Sequence, residues 1–156
     1  MLLGRWSRFG GFGAAQPADI HDARHAIEAV GLSGFERRPI DTLSVGQFQR
    51  MLFARMVVQD APLILLDEPF AAIDSTTTRD LLALIARWHG ERRTVIAVLH
   101  DLSQVRECFP ETLLLAREGV AWGPTASVLT SGNLQRVRDL LDPWTADALA
   151  RERLRA

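Results

Sequence analysis

Apolar residues recur on a helical period from Asp19 to Val30. Ile20, Ala23, Ile27 and Val30 share one face, and Gly31 supplies a stop. Pro39–Leu43 reads as a connection. Ser44 is placed to cap a helix that runs through Gln47, Met51, Phe53, Ala54 and Val57. Pro62 opens a different pattern, the unbroken apolar run Leu63–Leu66, which ends in Asp67-Glu68-Pro69. Continuous apolarity at strand length predicts a strand buried on both faces, as in a parallel sheet. Asp74 or Ser75 caps the next helix, whose stripe is Leu81, Leu82, Leu84, Ile85 and Trp88. Thr94–Leu99 predicts a second buried strand, closed by His100-Asp101. Leu102–Phe109 reads as a short helix and Thr112–Leu115 as a third strand. Glu118-Gly119 turns the chain into Val120–Trp122, Gly123-Pro124 breaks it, and Thr125 starts a short helix. Asn133–Ala156, with Trp144, is helical and amphipathic, and its arginine-rich stretch Arg136–Arg155 reads as a packing or interface helix. Gly4–Gly13 is irregular. Strands alternating with helices predict an α/β fold with a parallel sheet.

Composition narrows this picture. The 156 residues suffice for one domain with a real core. A formal net charge of -1 gives no electrostatic case for nucleic acid. The single cysteine, Cys108, excludes an internal disulfide framework and reads as a small buried hydrophobe. No apolar run approaches the ~20 residues of a membrane span, and Met1–Gly13 lacks the apolar core of a signal peptide. All 18 basic residues are arginine. Without a lysine, the chain cannot contain a phosphate-binding loop of the G-x-x-x-x-G-K-[ST] type, whose lysine reaches the β- and γ-phosphates.

The candidate chemistry starts at Leu63–Glu68, where an apolar strand delivers two adjacent carboxylates to its C-terminal edge. Open α/β sheets bind ligands at that edge. One carboxylate can hold Mg²⁺, often through water, while the next polarises an attacking water. Buried strands also end in acidic turns for structural reasons alone. Leu43-Ser44-Val45-Gly46-Gln47 precedes this strand by one helix, Ala72-Ile73-Asp74 follows the carboxylates directly, and His100 ends the next strand. At a helix N-terminus Ser44 offers a hydroxyl, and Gly46 and Gln47 offer backbone amides to an anion.

In this order the four segments resemble the ATP-binding-cassette ATPases of membrane transporters: signature motif, Walker B, D-loop and switch histidine. The resemblance implies a P-loop NTPase fold lacking its N-terminal part, with residues 1–61 as the helical subdomain bearing the signature. Residues 62–156 become the C-terminal half of the ATPase core with its C-terminal helices. It further implies ATP and Mg²⁺ as cofactors, binding of which is in doubt for this chain alone. Ser44, Gly46 and Gln47 would grip the γ-phosphate of a nucleotide held by a second ATPase subunit. Asp67 would organise Mg²⁺, Glu68 would act as general base, His100 would contact the γ-phosphate, and Asp74 would reach across the dimer. Val45 departs from the glycine usual in the signature. Gly4-Arg5-Trp6 resembles the stretch just after the Q-loop, so the chain is expected to begin inside the family's domain. Together with Leu113–Thr125, it resembles zinc or manganese importer ATPases, with ferric-chelate importers next. The implied partners are permease subunits, a second copy of the ATPase and, indirectly, a periplasmic or lipoprotein binding protein. The implied place is the cytoplasmic face of a bacterial inner membrane.

Two other readings stay open: a non-catalytic module that supplies only a signature face, and a soluble cassette ATPase of DNA repair or translation. His21 and His25 lie one helical turn apart. They read either as a polar solvated face or as two ligands of one metal ion. In the family, the strand leading into the phosphate loop lies between the switch-histidine strand and the next one. Its absence would leave Val95, Ile96, Val98 and Leu99 on an unpaired edge, and the chain would fold poorly alone.

Overall fold

The computed structural model describes residues 15–141; Gly4–Gly13, Trp144 and the rest of the C-terminal helix expected to Ala156 lie outside them. The chain divides into two compact units, Met1–Val98 and Leu99–Ala156.

In the first unit, helix α1 spans Pro17–Ala29. Proline at its first turn loses no helical hydrogen bond, and the Gln16 N–H donates to Asp19 Oδ2 at 2.8 Å. The helix ends at Gly31, whose φ of 73° lets the Leu32 N–H reach back to the Ile27 carbonyl at 2.9 Å. Ala23, Ala26, Ile27 and Val30 are buried, but Ile20 is 43% exposed and is not part of the core face expected from its spacing. It sits near the start of the helix, where no element among the described residues covers it.

A short 3-10 turn at Ile40–Thr42 leads into helix α2, Val45–Gln59. Ser44 caps α2 as its position predicts. Its Oγ accepts from the Gln47 N–H at 3.3 Å, while the Ser44 N–H donates to Gln47 Oε1 at 3.1 Å, a reciprocal capping box. Strand β1 (Leu63–Asp67), helix α3 (Ser75–Gly90) and strand β2 (Thr94–Val98) form one β-α-β unit. The strands are parallel, in register from Leu63 opposite Thr94 to Asp67 opposite Val98. The core lies between α2, α3 and one face of β1. Phe53 and Trp88 stack there, 5.8 Å apart and 6° from parallel, beside Leu81, Leu84, Ile85, Ile64 and Leu66.

Burial of these strands on both faces is not what the structure shows. In β1 only Ile64 and Leu66 are buried; Leu63 and Leu65 face outward, Leu65 being 67% exposed. No residue of β2 is buried, and Ile96 and Val98 are exposed. Continuous apolarity records that both faces suit an apolar neighbour. Among the described residues only one face has one. β2 also pairs with β1 alone, so the expected open edge at Val95–Val98 is present among the described residues.

In the second unit, helix α4 spans Leu102–Cys108, capped by Asp101, whose Oδ1 accepts from the Ser103 N–H at 2.8 Å. Strands β3 (Glu111–Leu115) and β4 (Gly119–Pro124) follow, then helices α5 (Thr125–Val128) and α6 (Ser131–Leu141). β3 and β4 form an antiparallel hairpin, with a register shift between Leu114 and Leu115. The second unit thus holds an antiparallel hairpin that a purely parallel expectation leaves out. The Thr125 hydroxyl ties the hairpin to α4 through the Phe109 carbonyl, and Arg106 Nη2 donates to the Leu129 carbonyl at 2.6 Å. Cys108 is half-buried, not enclosed, and its partial burial raises the thiol pKa. Trp122, opposite Leu113, is 78% exposed.

These exposures separate two kinds of apolar position. Trp88→Ala should cost about 3–5 kcal/mol, enough to unfold the first unit at room temperature. Leu65→Gln should leave its stability within about 0.5 kcal/mol and reduce self-association of the chain. Chemical denaturation and sedimentation velocity read the two effects. A monodisperse wild-type chain at high concentration would contradict the second.

Candidate functional site

The signature-like segment and the Asp74 loop meet in one place. Ser44, Gly46, Gln47, Arg50, Asp74 and Thr77 line an open cleft of about 500 Å³. Gly46 is in the first turn of α2, and a Cβ there would lie 3.6 Å from both Asp74 Oδ2 and Thr77 Oγ1. That is ordinary van der Waals contact, so the approach of α2 to the loop does not itself require glycine here. The Gln47 amide, expected to face an anion, is taken up by the Ser44 cap. That leaves the Val45 and Gly46 amides, which have no carbonyl to donate to within the helix. Val45 itself is 61% exposed, so its side chain projects from the open end of α2.

Asp74 caps α3 twice over. Oδ1 accepts from the Thr77 N–H and Oδ2 from the Thr77 hydroxyl, both at 2.8 Å. These bonds, the backbone one first, favour the carboxylate and hold its pKa below the ordinary aspartate value. The Thr77 hydroxyl in turn accepts from Arg50 Nη2 at 3.2 Å. Arg50 also donates to the Val30 carbonyl at 3.0 Å and pairs with Asp80 Oδ2 at 2.6 Å. One guanidinium, with its side chain 17% exposed, thus joins α1, α2 and α3 directly behind the cleft. Sequence reasoning missed Arg50 and Thr77. The available signal was a charged residue three positions after Gln47, on the side of α2 that carries Ala54 and Val58 four and eight positions further on.

Asp67 closes β1 and is exposed. Glu68 continues the ladder by one bond, its N–H donating to the Val98 carbonyl at 3.1 Å. Its φ is 42°, a left-handed conformation that a non-glycine residue adopts at a cost. Pro69 then takes the second position of a turn closed by the Ala71 N–H on the Glu68 carbonyl at 3.1 Å. The turn buries Pro69 and Phe70 and leaves both carboxylates outside. Among the described residues no group of three or more His, Cys, Asp or Glu side chains forms a metal cage. Mg²⁺ does not require one, because it commonly binds one or two carboxylates together with waters and substrate phosphates. Asp67 fits that kind of partial site. His100 follows β2 by two residues and belongs to the second unit, next to the Asp101 cap of α4.

Comparison with known proteins gives the chain's relatives. The family model for the ABC transporter matches residues 9–71. The manganese transport system ATP-binding protein MntB of Bacillus subtilis is 38% identical over 136 residues, which is 87% of this chain and 54% of that protein. The zinc transport system ATP-binding protein TroB of Treponema pallidum is also 38% identical over 136 residues, covering 87% and 51%. A solved inward-facing ABC transporter described as metal-chelate type superposes with a TM-score of 0.81 at 32% identity, covering 87% of this chain and 55% of that one. The chain belongs to the ABC transporter family, among relatives that are metal-ion transport ATP-binding proteins. It spans about half the length of the curated relatives it matches.

Arg50→Met should destabilise the first unit by about 1–3 kcal/mol, because it leaves the Val30 carbonyl without its donor; Asp80 is half exposed and is hydrated instead. Thr77→Val should couple to it non-additively, by about 0.5 kcal/mol or more, in a double-mutant cycle. The Asp74 contribution has a fixed sign. Its pKa is lower when folded, so the stabilisation is present above the ordinary aspartate range and is lost as pH falls through the folded value. Asp74→Asn should flatten the acid limb of a stability-against-pH curve, and an unchanged limb would contradict the assignment.

Proposed function

We propose that this chain supplies the signature-bearing, C-terminal part of the ATP-binding subunit of a metal-ion ABC importer. One observation carries the reading. The chain matches manganese and zinc transport ATP-binding proteins over 87% of its length, with motif segments in the order that nucleotide gripping and hydrolysis need. In this reading residues 1–61 act as the helical subdomain and residues 62–156 as the second half of the core.

The open end of α2, with Ser44 and the Gly46 amide, faces a nucleotide held by a second ATPase subunit. There the helix dipole and free N–H groups favour the γ-phosphate. Gln47 acts through the capping box, which keeps that end open and rigid. Asp74 lies at the same cleft and reaches the opposing subunit. Asp67 would hold Mg²⁺ together with the nucleotide's phosphates, and the ion, when bound, would supply charge neutralisation at the phosphoryl group. Glu68 orients the attacking water and accepts its proton, and His100 contacts the γ-phosphate. Glu68 is exposed beside the turn that buries Phe70, which leaves its carboxylate accessible for this role.

The partners are permease subunits, a second cassette ATPase and, through the permease, an external binding protein. The place is the cytoplasmic face of a bacterial inner membrane. No helix among the described residues is long and apolar enough to cross a membrane. A second reading is a module that supplies a signature face without hydrolysing ATP itself.

Without a phosphate cradle Glu68 has no positioned substrate, so the purified chain should not turn over ATP. Fusing the N-terminal half of the Bacillus subtilis relative to it should restore Mg²⁺-dependent hydrolysis. Glu68→Gln in that chimera should then lower the rate by about 10²–10⁴. A folded chimera that binds ATP but never hydrolyses it would leave the signature-face module standing. Turnover by the chain alone would sink both readings.

A further inference from the structure

We propose that His21 and His25 of α1 form a two-imidazole site for one divalent transition-metal ion, with water completing its coordination. The two residues are one helical turn apart on the exposed side of α1. Their Nε2 atoms are 3.1 Å apart, and the rings meet edge to face at 80° with centroids 4.4 Å apart. Metal–imidazole bonds of about 2.0–2.1 Å place two ligand nitrogens roughly 2.9 Å apart at a right angle and roughly 3.4 Å apart at the tetrahedral angle. The observed spacing falls between these, so one ion can bridge both nitrogens once the rings turn their lone pairs toward it. The helix is fixed at both ends, by the Asp19 contact and by the Gly31 turn, which holds the pair in register.

Without metal the rings share one hydrogen bond, which needs a proton on one Nε2. Coordination needs that ring to carry its proton on Nδ1 instead. His25 is equipped for this, because Glu28 Oε2 lies 3.9 Å from its Nδ1. That is the side from which outer carboxylates orient metal-bound imidazoles, here at a distance that a water can bridge. No third His, Cys, Asp or Glu joins the pair among the described residues. A donor set of two imidazoles and water selects Cu²⁺, Ni²⁺ and Zn²⁺ over Mn²⁺ and Mg²⁺, which prefer carboxylate and other oxygen ligands. The site is separate from the Asp67 carboxylate and does not depend on nucleotide.

Calorimetric titration of the 156-residue chain with NiCl₂ tests this. One ion should bind per chain with micromolar affinity, Cu²⁺ should bind more tightly, and Mn²⁺ should bind roughly a hundredfold more weakly or not at all. His21→Asn and His25→Asn should each lower Ni²⁺ affinity by at least about tenfold, and His89→Asn should leave it unchanged. Both positions are exposed, so far-UV circular dichroism of these variants should match that of the parent. Paramagnetic resonance of the Cu²⁺ complex gives a second readout that needs no variant, and it should show two imidazole nitrogens. Ni²⁺ affinity unaffected by either asparagine, Mn²⁺ binding as tight as Ni²⁺, or a Cu²⁺ spectrum with fewer than two imidazole nitrogens would overturn the site.

Discussion

The packing of α2 on α3 is the constraint from which the rest of the first unit follows. It has an apolar middle and a polar end. In the middle, Phe53 and Trp88 stack and are fully enclosed. At the N-terminal end, Arg50 crosses from α2 to Thr77 and Asp80 of α3 and back to the Val30 carbonyl. The apolar part supplies most of the free energy, since burial of large aromatic side chains outweighs a few partly exposed polar bonds. The polar part supplies direction. It fixes which end of α2 lies beside Asp74, and so places the Ser44 cap and the Asp74 cap on one cleft.

Local chemistry was legible in the sequence because it depends on neighbours a few positions away. Ser44 and Asp74 cap the helices their positions announce, Gly31 ends α1, and Leu63–Asp67 forms a strand that delivers two carboxylates. What depended on distant partners was harder to read. Apolar periodicity placed Ile20 on a core face, but periodicity cannot report that the first turn of a helix runs past its neighbours. An unbroken apolar strand says that both faces suit burial, not that both have found a cover. The hairpin was visible as two strands around Glu118-Gly119, whereas its antiparallel pairing is a property of strand partners. Arg50 was unremarkable in sequence, since its three partners come from two other helices.

The candidate site itself divides along the same line. Identities and order of Ser44, Gly46, Gln47, Asp67, Glu68, Asp74 and His100 were readable, because motif spacing along the chain carries them. The Thr77 hydroxyl that donates to Asp74 while accepting from Arg50 was not, and neither was the use of the Gln47 amide by the cap. The positive φ at Glu68 belongs to this second class. It arises because the chain must leave a strand edge and enter a proline turn within one residue.

The parallel pairing of β1 with β2 has a consequence for the order of folding. The two strands are joined through α3, so their ladder closes only after a helix has formed and docked between them. The ladder's own contacts lie within Leu63–Val98, but α3 docks against Phe53 of α2, so that helix takes part in the closure. Parallel pairing through a crossover forms more slowly than a hairpin, and Asp74 favours it by capping the connecting helix. Whatever covers the outward face of Leu63 and Leu65 then meets a preformed surface. Its arrival governs how long the open state lasts, and leaves the rate at which the strands pair untouched.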